Sequence, residues 1–307
     1  MRLGLTIPTF GPHSTADVIA HVSRTAEEMG YDSLWTGDRV LSPEQPKDPY
    51  PGNNGVMPRV FENCMDPAAA LSFAAANTSR VRLGTSTLNA LWQPPIMLAR
   101  QLTTLDVLSG GRLDAGLGLG WMREEYEALG LPWARRGERL EETLNVLRGY
   151  WTAERLFTHE GRYFTIPETV VGLKPVQRPG PPVLLGAFNP AGLSRIARAA
   201  DGWLSGGMPL PFYHSLWTPV LKEAEAIGRD PSELKVVMRV NAHITEADAA
   251  PEEVPQRGSF GQYVAYALSA AEAGVHELFM DLDQWPLSSV EERIDIAGRF
   301  IEGVRAG

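Results

Sequence analysis

The feature that most constrains this chain is a strand-like run followed by a helix-like stretch, repeated eight times along 307 residues. Each run is short and rich in aliphatic residues, as expected of buried strands. The stretches that follow space apolar residues three and four apart, as in Leu140, Leu144 and Leu147, which predicts one buried helix face. This alternation favours an α/β protein built as a single (β/α)8 barrel. The predicted strands cover residues 3–8, 32–37, 81–88, 112–118, 182–186, 202–205, 234–244 and 276–282.

A doubly wound open sheet is the alternative fold. It would normally carry a glycine-rich dinucleotide fingerprint after its first strand, whereas this chain has Pro8-Thr9-Phe10-Gly11 there. No linker or charge run divides the sequence. We therefore expect one domain over residues 1–307, with insertions near 39–65 and 154–180. The second insertion contains a predicted hairpin that turns at Glu160-Gly161.

Polar residues mark several predicted helix starts. Ser14, three residues before Asp17, is expected to cap the first helix, and Gly30 to end it. Asp66-Pro67 is typical of an N-cap followed by the first helical residue. Asn189-Pro190 likewise opens a predicted helix, and Ser289 is expected to cap the last one.

Composition excludes several classes of protein. The chain is 44% hydrophobic and 21% charged, which is ordinary for a globular protein and argues against disorder. The single cysteine, Cys64, cannot form an internal disulfide, so we expect a reducing, cytoplasmic location. No apolar run approaches the roughly 18 residues of a membrane span. A net charge of −9 without a basic stripe disfavours nucleic acid as a partner.

In a barrel of this kind the active site lies at the carboxyl ends of the strands. That rule selects candidate residues with no further information. They are Thr9, Phe10, Gly11, Asp38, Arg39, Ser86, Thr87, Asn89, residues 118–121, 186–192, 205–207 and 241–243, Asp281 and Asp283.

Three of these segments have two interpretations. The alternating glycines Gly116, Gly118 and Gly120 could admit a flat ligand, or could simply pack a strand end against its neighbour. The 186–192 turn could hold an anion at a helix start, or could be an ordinary capped helix. Asp38-Arg39 could be catalytic, or could form a structural ion pair.

The sequence lacks the motifs of several common enzyme classes. The chain has no G-x-S-x-G elbow and no Walker loop. Its six histidines show no metal-binding pair on one helix face, and His243 is the one worth testing. Glu124 and Glu125 are interpreted as the start of an exposed helix, so paired-carboxylate glycosidase chemistry is not favoured.

Several segments together resemble the luciferase-like monooxygenase superfamily, in its deazaflavin (coenzyme F420)-dependent branch. They cover roughly the first two thirds of the chain, and their order and spacing are more specific than any one of them. They are residues 1–8 with Phe10-Gly11, then WTGD at 35–38, LGTSTLNALWQPP, ARQLTTLDVLSGGRL and GLGLGWMREEYEALG within 81–130, KPVQRPGPPVLLGA at 174–187 and RIARAADGW at 195–203.

The resemblance implies a barrel that binds coenzyme F420, or alternatively FMN, at its mouth. Ser86-Thr87 matches the family's non-prolyl cis peptide beneath the cofactor ring, and Asp38 an acidic position near the ring. Phe10 belongs to a matching segment. Gly118, Leu119, Gly120 and Trp121 match the loop that contacts the cofactor's polar tail. The amides of Asn189, Pro190, Ala191 and Gly192 match the family's phosphate site, although proline supplies no amide donor.

One departure concerns catalysis. Many deazaflavin members have Asp-His where this chain has Asp38-Arg39. Arginine stays protonated and cannot act as a general acid or base, so Arg39 is expected to stabilise an anionic cofactor or substrate instead. Asp38 and Arg39 are the predicted catalytic residues.

The resemblance leads to hydride transfer between F420 and a small organic substrate as the predicted function. An FMN-dependent monooxygenase supplied by a flavin reductase is one alternative, and a non-catalytic flavin- or deazaflavin-binding protein is another. A homodimer is expected because homodimers are common in the family.

Tyr50, Phe61, Trp92 and Met208 could form an apolar lid or could be core residues. Because a deazaflavin is strongly anionic and the chain is acidic, either Arg39, Arg112 and Arg123 offset the charge at the mouth or the smaller FMN is the ligand.

Overall fold

A computed structural model describes residues 1–52, 54–284 and 287–307. Its strands are β1 (Arg2–Thr6), β2 (Ser33–Thr36), β3 (Arg82–Thr85), β4 (Leu88–Asn89), β5 (Leu113–Gly118), β6 (Leu156–Glu160), β7 (Thr165–Val170), β8 (Val183–Leu185), β9 (Gly202–Gly206), β10 (Lys235–Asn241), β11 (Ile244–Thr245), β12 (Gly258–Ser259) and β13 (Glu277–Asp281). Its α-helices are α1 (Ala16–Met29), α2 (Pro67–Ala76), α3 (Pro95–Leu108), α4 (Arg123–Ala128), α5 (Arg136–Thr152), α6 (Pro190–Ala199), α7 (Leu210–Ala226), α8 (Phe260–Glu272) and α9 (Val290–Ala306).

Eight of these strands close into a parallel barrel. Their order around the barrel is β1, β2, β3, β5, β8, β9, β10 and β13, and β13 pairs with β1 to close it. Helices connect consecutive barrel strands and surround the sheet. The predicted (β/α)8 barrel is therefore confirmed, and each predicted strand run overlaps one of the eight.

Large side chains fill the inside of the barrel. Trp35 is fully buried and stacks on Phe279 with ring centroids 4.8 Å apart. The Trp35 indole donates to Glu277 Oε1 at 2.7 Å, which satisfies its one polar hydrogen. A Cβ on Gly84 would fall 2.3 Å from the Trp35 ring, so the glycine in β3 makes room for the tryptophan. The barrel interior is a packed core and not a channel.

The observed helix caps are those predicted from the sequence, with one exception. Thr15, not Ser14, caps α1, because its hydroxyl accepts from the amide of Val18. The Ser14 hydroxyl instead donates to the carbonyl of Gly11 at 2.7 Å and closes the preceding turn. The predicted caps Asp66, Asn189 and Ser289 each accept a hydrogen bond from the first turn of their helix. Gly30 ends α1 at φ 89°, as expected of a left-handed C-cap.

Irregular segments interrupt the repeat where the sequence predicts insertions. The described residues of 39–65, which leave out 53, contain no strand or α-helix and form a 3₁₀ turn at Arg59–Glu62. The second insertion contains the predicted hairpin, made of β6 and β7. The strand predicted at 81–88 is instead split into β3 and β4 at Ser86-Thr87. The strand predicted at 234–244 ends at Asn241, because Ile244 pairs with Gly258 outside the barrel.

No helix among the described residues is long and apolar enough to cross a membrane. Within the same residues no group of three or more His, Cys, Asp and Glu side chains could hold a metal ion.

Candidate functional site

A cavity of about 850 Å³ lies at the carboxyl ends of the barrel strands. It brings together most of the residues selected from the sequence. The candidates that line it are Phe10, Asp38, Arg39, Ser86, Thr87, Asn89, Gly118, Leu119, Gly120, Trp121, Gly186, Ala187, Phe188, Asn189, Gly192, Ser205, Gly206, Gly207 and Asn241.

Other predicted residues lie outside the cavity wall. Pro190 and Ala191 form the exposed first turn of α6 and do not line the cavity. Thr9 is buried beneath it, with its hydroxyl 2.6 Å from that of Thr36. His243 is likewise not part of the wall. Asp281 and Asp283 are buried as partners of arginine side chains.

The cavity floor contains the Ser86-Thr87 peptide, which is cis, as the resemblance implies. The glycines of β5 pack closely against this segment. A Cβ on Gly116 would fall 1.8 Å from the carbonyl oxygen of Thr85, and one on Gly118 would fall 2.5 Å from Thr87 Oγ1. Of the two interpretations of the alternating glycines, close packing of the strand end against its neighbour therefore explains Gly116 and Gly118.

Asp38 follows β2 and presents a half-buried carboxyl group to the cavity. Shielding from water, together with the nearby charges of Asp66 and Glu125, raises the pKa of Asp38 to about 7. A hydrogen bond from the amide of Asn89 opposes this shift only in part. Asp38 can therefore hold or release a proton near neutral pH.

Arg39 is paired with Glu125 and not with the neighbouring Asp38. Arg39 Nη1 lies 3.1 Å from Glu125 Oε1, and the amide of Val40 donates to the same oxygen. Glu125 is 1% exposed, so the expectation that it begins an exposed helix is wrong. Helix α4 has only six residues, too few to show which of its faces is buried. Burial raises the pKa of Glu125, and the charge of Arg39 opposes that shift.

Aromatic rings surround the Arg39 guanidinium. Its carbon lies 5.0 Å from the centroid of Phe61 and 5.2 Å from that of Trp121. Tyr50 contacts the edges of both rings. Trp92 also lines the cavity, so three of the four residues considered for an apolar lid do so. Met208 is instead buried in the core between the strands and helices.

The start of α6 also contributes to the cavity wall. The Asn189 side chain accepts from the amide of Gly192 at 2.8 Å, which orders this turn. Arg195, one turn further along α6, and Arg136, at the start of α5, both line the cavity. From the sequence, a phosphate here was expected to be held mainly by main-chain amides. Both arginines were missed because they lie on separate helices, away from the strand ends.

Two of the arginines expected at the mouth lie elsewhere. Arg112 precedes β5 at the other end of the barrel, where its guanidinium donates to the carbonyls of Ala75 and Val81. Arg123 is exposed and pairs with Asp48. Arg39 does line the cavity, as expected, and Arg239, within β10, was not predicted. Arg239 lies inside the predicted strand, not beyond its end, and belongs to no motif of the sequence.

Several buried hydrogen-bond donors in the cavity wall have no partner among the described residues. They are Arg39 Nε, Trp92 Nε1, Trp121 Nε1, Arg136 Nη1 and the hydroxyl of Ser205. Buried donors normally have acceptors, and an indole or a guanidinium can only donate. The cavity is therefore suited to a ligand rich in acceptor oxygens.

A family model described as luciferase-like monooxygenase matches residues 1–290. The chain belongs to the luciferase-like monooxygenase family. This agrees with the resemblance drawn from the sequence. The match extends well beyond the two thirds of the chain on which that resemblance rested.

Relatives of this luciferase-like protein fall into more than one functional group. An uncharacterized protein of Mycobacterium tuberculosis is 32% identical over 70% of this chain and 75% of its own. An F420-dependent glucose-6-phosphate dehydrogenase of Microbacterium testaceum is 30% identical over 75% of this chain and 64% of its own. The oxygenase component of a flavin-dependent trigonelline monooxygenase of Acinetobacter baylyi is 30% identical over 57% of this chain and 44% of its own.

Solved structures support the same luciferase-like barrel. A monooxygenase from Streptomyces bottropensis superposes with a TM-score of 0.79 at 22% identity, covering 100% of this chain and 99% of its own. An F420-dependent secondary alcohol dehydrogenase superposes with a TM-score of 0.78 at 19% identity, covering 99% of each chain. At these identities the likeness concerns the fold alone.

Proposed function

We propose that this luciferase-like protein is an F420-dependent oxidoreductase that transfers a hydride between the deazaflavin and a small organic substrate at the barrel mouth. The observation that carries the proposal is a cavity whose wall contains both a proton-holding carboxyl, Asp38, and two arginines, Arg136 and Arg195. The similarity to an F420-dependent dehydrogenase over three quarters of the chain supports the same choice.

The residues of the cavity fit a cofactor of this class. A deazaflavin carries ring carbonyls and a phosphate, which are the acceptors that the unpaired donors in the wall lack. Arg136 and Arg195, which both line the cavity, would hold the phosphate. Ser86 and Thr87, Phe10 and residues 118–121 would lie along the ring and its tail. When bound, the deazaflavin supplies the carbon that carries the hydride.

Asp38 is the group proposed to manage the proton. Reduction of a carbonyl or an enone adds a hydride to carbon and requires a proton as well. The Asp38 carboxyl holds such a proton below about pH 7 and becomes a carboxylate when it gives the proton up. In the oxidative direction the carboxylate would accept the proton from an alcohol.

Arg39 is proposed to orient the substrate. Its charge is balanced by Glu125, while its Nε hydrogen has no partner. A donor of this kind suits a carbonyl oxygen that gains negative charge during reduction. The surrounding rings of Phe61 and Trp121 would exclude water from that oxygen.

An FMN-dependent monooxygenase is the second candidate. The similarity to a flavin-dependent oxygenase component favours it, and the unpaired donors suit the phosphate and ring carbonyls of FMN equally well. In that case a flavin reductase would be the partner that supplies reduced flavin. Binding without turnover is the third possibility, and the homodimer stays a prediction.

Isotope transfer separates these functions. Reduced deazaflavin carrying deuterium at the hydride position is mixed with a panel of enones and ketones under argon, and products are analysed by mass spectrometry. The proposal expects deuterium in one product without oxygen. A product that forms only with reduced FMN and incorporates ¹⁸O from ¹⁸O₂ would establish the monooxygenase instead. Tight binding with no product in either arm would leave a binding protein.

A further inference from the structure

Arg239 links the wall of the cavity to a buried carboxylate. It lies in β10, two residues before the strand ends, lines the cavity and keeps 21% of its side chain exposed. Its Nη1 donates to the carbonyl oxygen of Ser86 at 2.8 Å. Its Nε donates to Asp281 Oδ2 at 2.8 Å, and its Nη2 donates to the same oxygen. One guanidinium thus joins β10, β13 and the segment between β3 and β4.

Asp281 is itself fixed by the strands around it. It is 1% exposed, and its second oxygen accepts from the amide of Asp283 at 2.8 Å and from the hydroxyl of Thr6 at 3.4 Å. These bonds leave the carboxylate little freedom, so the position of the Arg239 fork is determined by the barrel. The Ser86 carbonyl is then held by a rigid donor and not by a mobile side chain.

We propose that Arg239 is a positioning residue that acts through the Ser86 carbonyl to fix the surface against which the cofactor ring lies. The inference rests on the proposed function, because it requires a ring cofactor in this cavity. It assigns a role to a residue that the sequence motifs do not include. Only an arginine has a planar fork that can reach the carbonyl and the carboxylate at the same time. A lysine at 239 could bond to one acceptor or the other.

Arg293 provides a matched control in the same layer of the protein. It is 5% exposed, donates to Asp283 Oδ1 at 2.5 Å and also donates to the carbonyl of Thr6 at 3.3 Å. Unlike Arg239, it is not among the described residues of the cavity wall. Loss of either arginine leaves a buried aspartate without its partner, so both changes should weaken the fold. Only loss of Arg239 should change the cavity.

The test compares Arg239→Met, Arg239→Lys and Arg293→Met with the wild-type protein. Affinity for F420 and for FMN is measured by fluorescence titration, together with the visible absorption of the bound cofactor and the temperature of unfolding. We expect Arg239→Met to weaken cofactor binding by about tenfold or more, as for loss of a charged hydrogen-bond donor, and to shift the bound absorption band. The cofactor affinity and absorption band of Arg239→Lys should lie between those of Arg239→Met and those of the wild-type protein. Arg293→Met should lower the unfolding temperature and leave the affinity unchanged.

Distinct results overturn the inference and the proposed function. If wild type binds a cofactor and Arg239→Lys has the same affinity and absorption band, the inference is wrong. It is also wrong if Arg293→Met weakens binding as much as Arg239→Met does, since the effect would then be one of general stability. If the wild-type protein binds neither cofactor, the proposed function itself is overturned, and the inference with it.

Discussion

At the scale of single residues, the environment of a side chain decides its role more than its identity does. Asp38 is one carboxylate among 37 acidic residues, yet burial beside two other acids gives it a pKa of about 7. Its position at a strand end was predictable from the sequence. Its proton affinity was not, because Asp66 and Glu125 are distant in the chain and approach it only in the fold.

The first prediction concerns the pH dependence of reduction. Because the pKa of Asp38 is raised, the proton is present below about pH 7 and is lost as the pH rises through that value. The rate of substrate reduction should therefore fall above about pH 7, as measured by stopped-flow oxidation of the reduced cofactor. Asp38→Asn keeps the shape but has no proton to give, and should lower the rate by about 100-fold or more while cofactor affinity stays constant. A pH profile that is the same in Asp38→Asn and wild type would exclude Asp38 as the proton donor.

The second prediction concerns Glu125, the site residue that sequence reasoning misread. Replacing it with alanine leaves Arg39 in a largely buried position without its counter-charge. We expect Glu125→Ala to lower the free energy of unfolding by about 3 kcal/mol, measured by urea denaturation. Glu127→Gln, on the same helix, removes a carboxylate that is 58% exposed and should change stability by less than about 0.5 kcal/mol. Equal effects of the two changes would contradict the buried pair.

At the scale of elements, periodicity located the strands and helices, and local competition set their ends. Both Ser14 and Thr15 have hydroxyls that can cap α1. The turn at Gly11 engages Ser14, so Thr15 becomes the cap. The split between β3 and β4 could not be derived from the apolar pattern, which runs through both. It was accessible only through the resemblance of Ser86-Thr87 to a known segment.

The third prediction concerns the glycines of β5. An alanine at 116 would place its Cβ 1.8 Å from a main-chain oxygen of the neighbouring segment, which cannot move without shifting the cavity floor. Gly116→Ala should therefore destabilise the protein by about 1–3 kcal/mol or more in urea denaturation. Gly172→Ala is the control, because nothing lies within 4 Å of its added Cβ. If both variants unfold at the same urea concentration, close packing does not explain Gly116.

At the scale of the whole molecule, charge is distributed unevenly. The net charge is −9, yet Arg39, Arg136, Arg195 and Arg239 all line the candidate site. The sequence analysis correctly expected arginines to offset the acidic charge at the barrel mouth. Two of the three that it named, Arg112 and Arg123, lie elsewhere. The positions of Arg136 and Arg195 depend on how α5 and α6 pack around the barrel, which no local pattern records. The fold was therefore far easier to predict than the charges around its cavity.

The fourth prediction uses this distribution. Arg136 lines the cavity, has an unpaired Nη1 and is one of the two arginines proposed to hold the phosphate. Arg136→Gln should weaken FMN binding by about tenfold, because a phosphate loses one charged donor. The affinity of the Arg136→Gln variant for riboflavin, which lacks the phosphate, should equal that of the wild-type protein. Isothermal titration of both ligands checks this, and an equal loss for the two would place the phosphate elsewhere.

The central claim is that the cavity at the barrel mouth binds a deazaflavin as its cofactor. Parallel fluorescence titrations of the wild-type protein with F420 and FMN, at low and high salt, test it most directly. We expect F420 to bind more tightly than FMN, in the micromolar range or below, and added salt to weaken its binding because arginine side chains in the wall would contact its phosphate. Binding of FMN in preference to F420, or no binding of either below millimolar concentration, would contradict it.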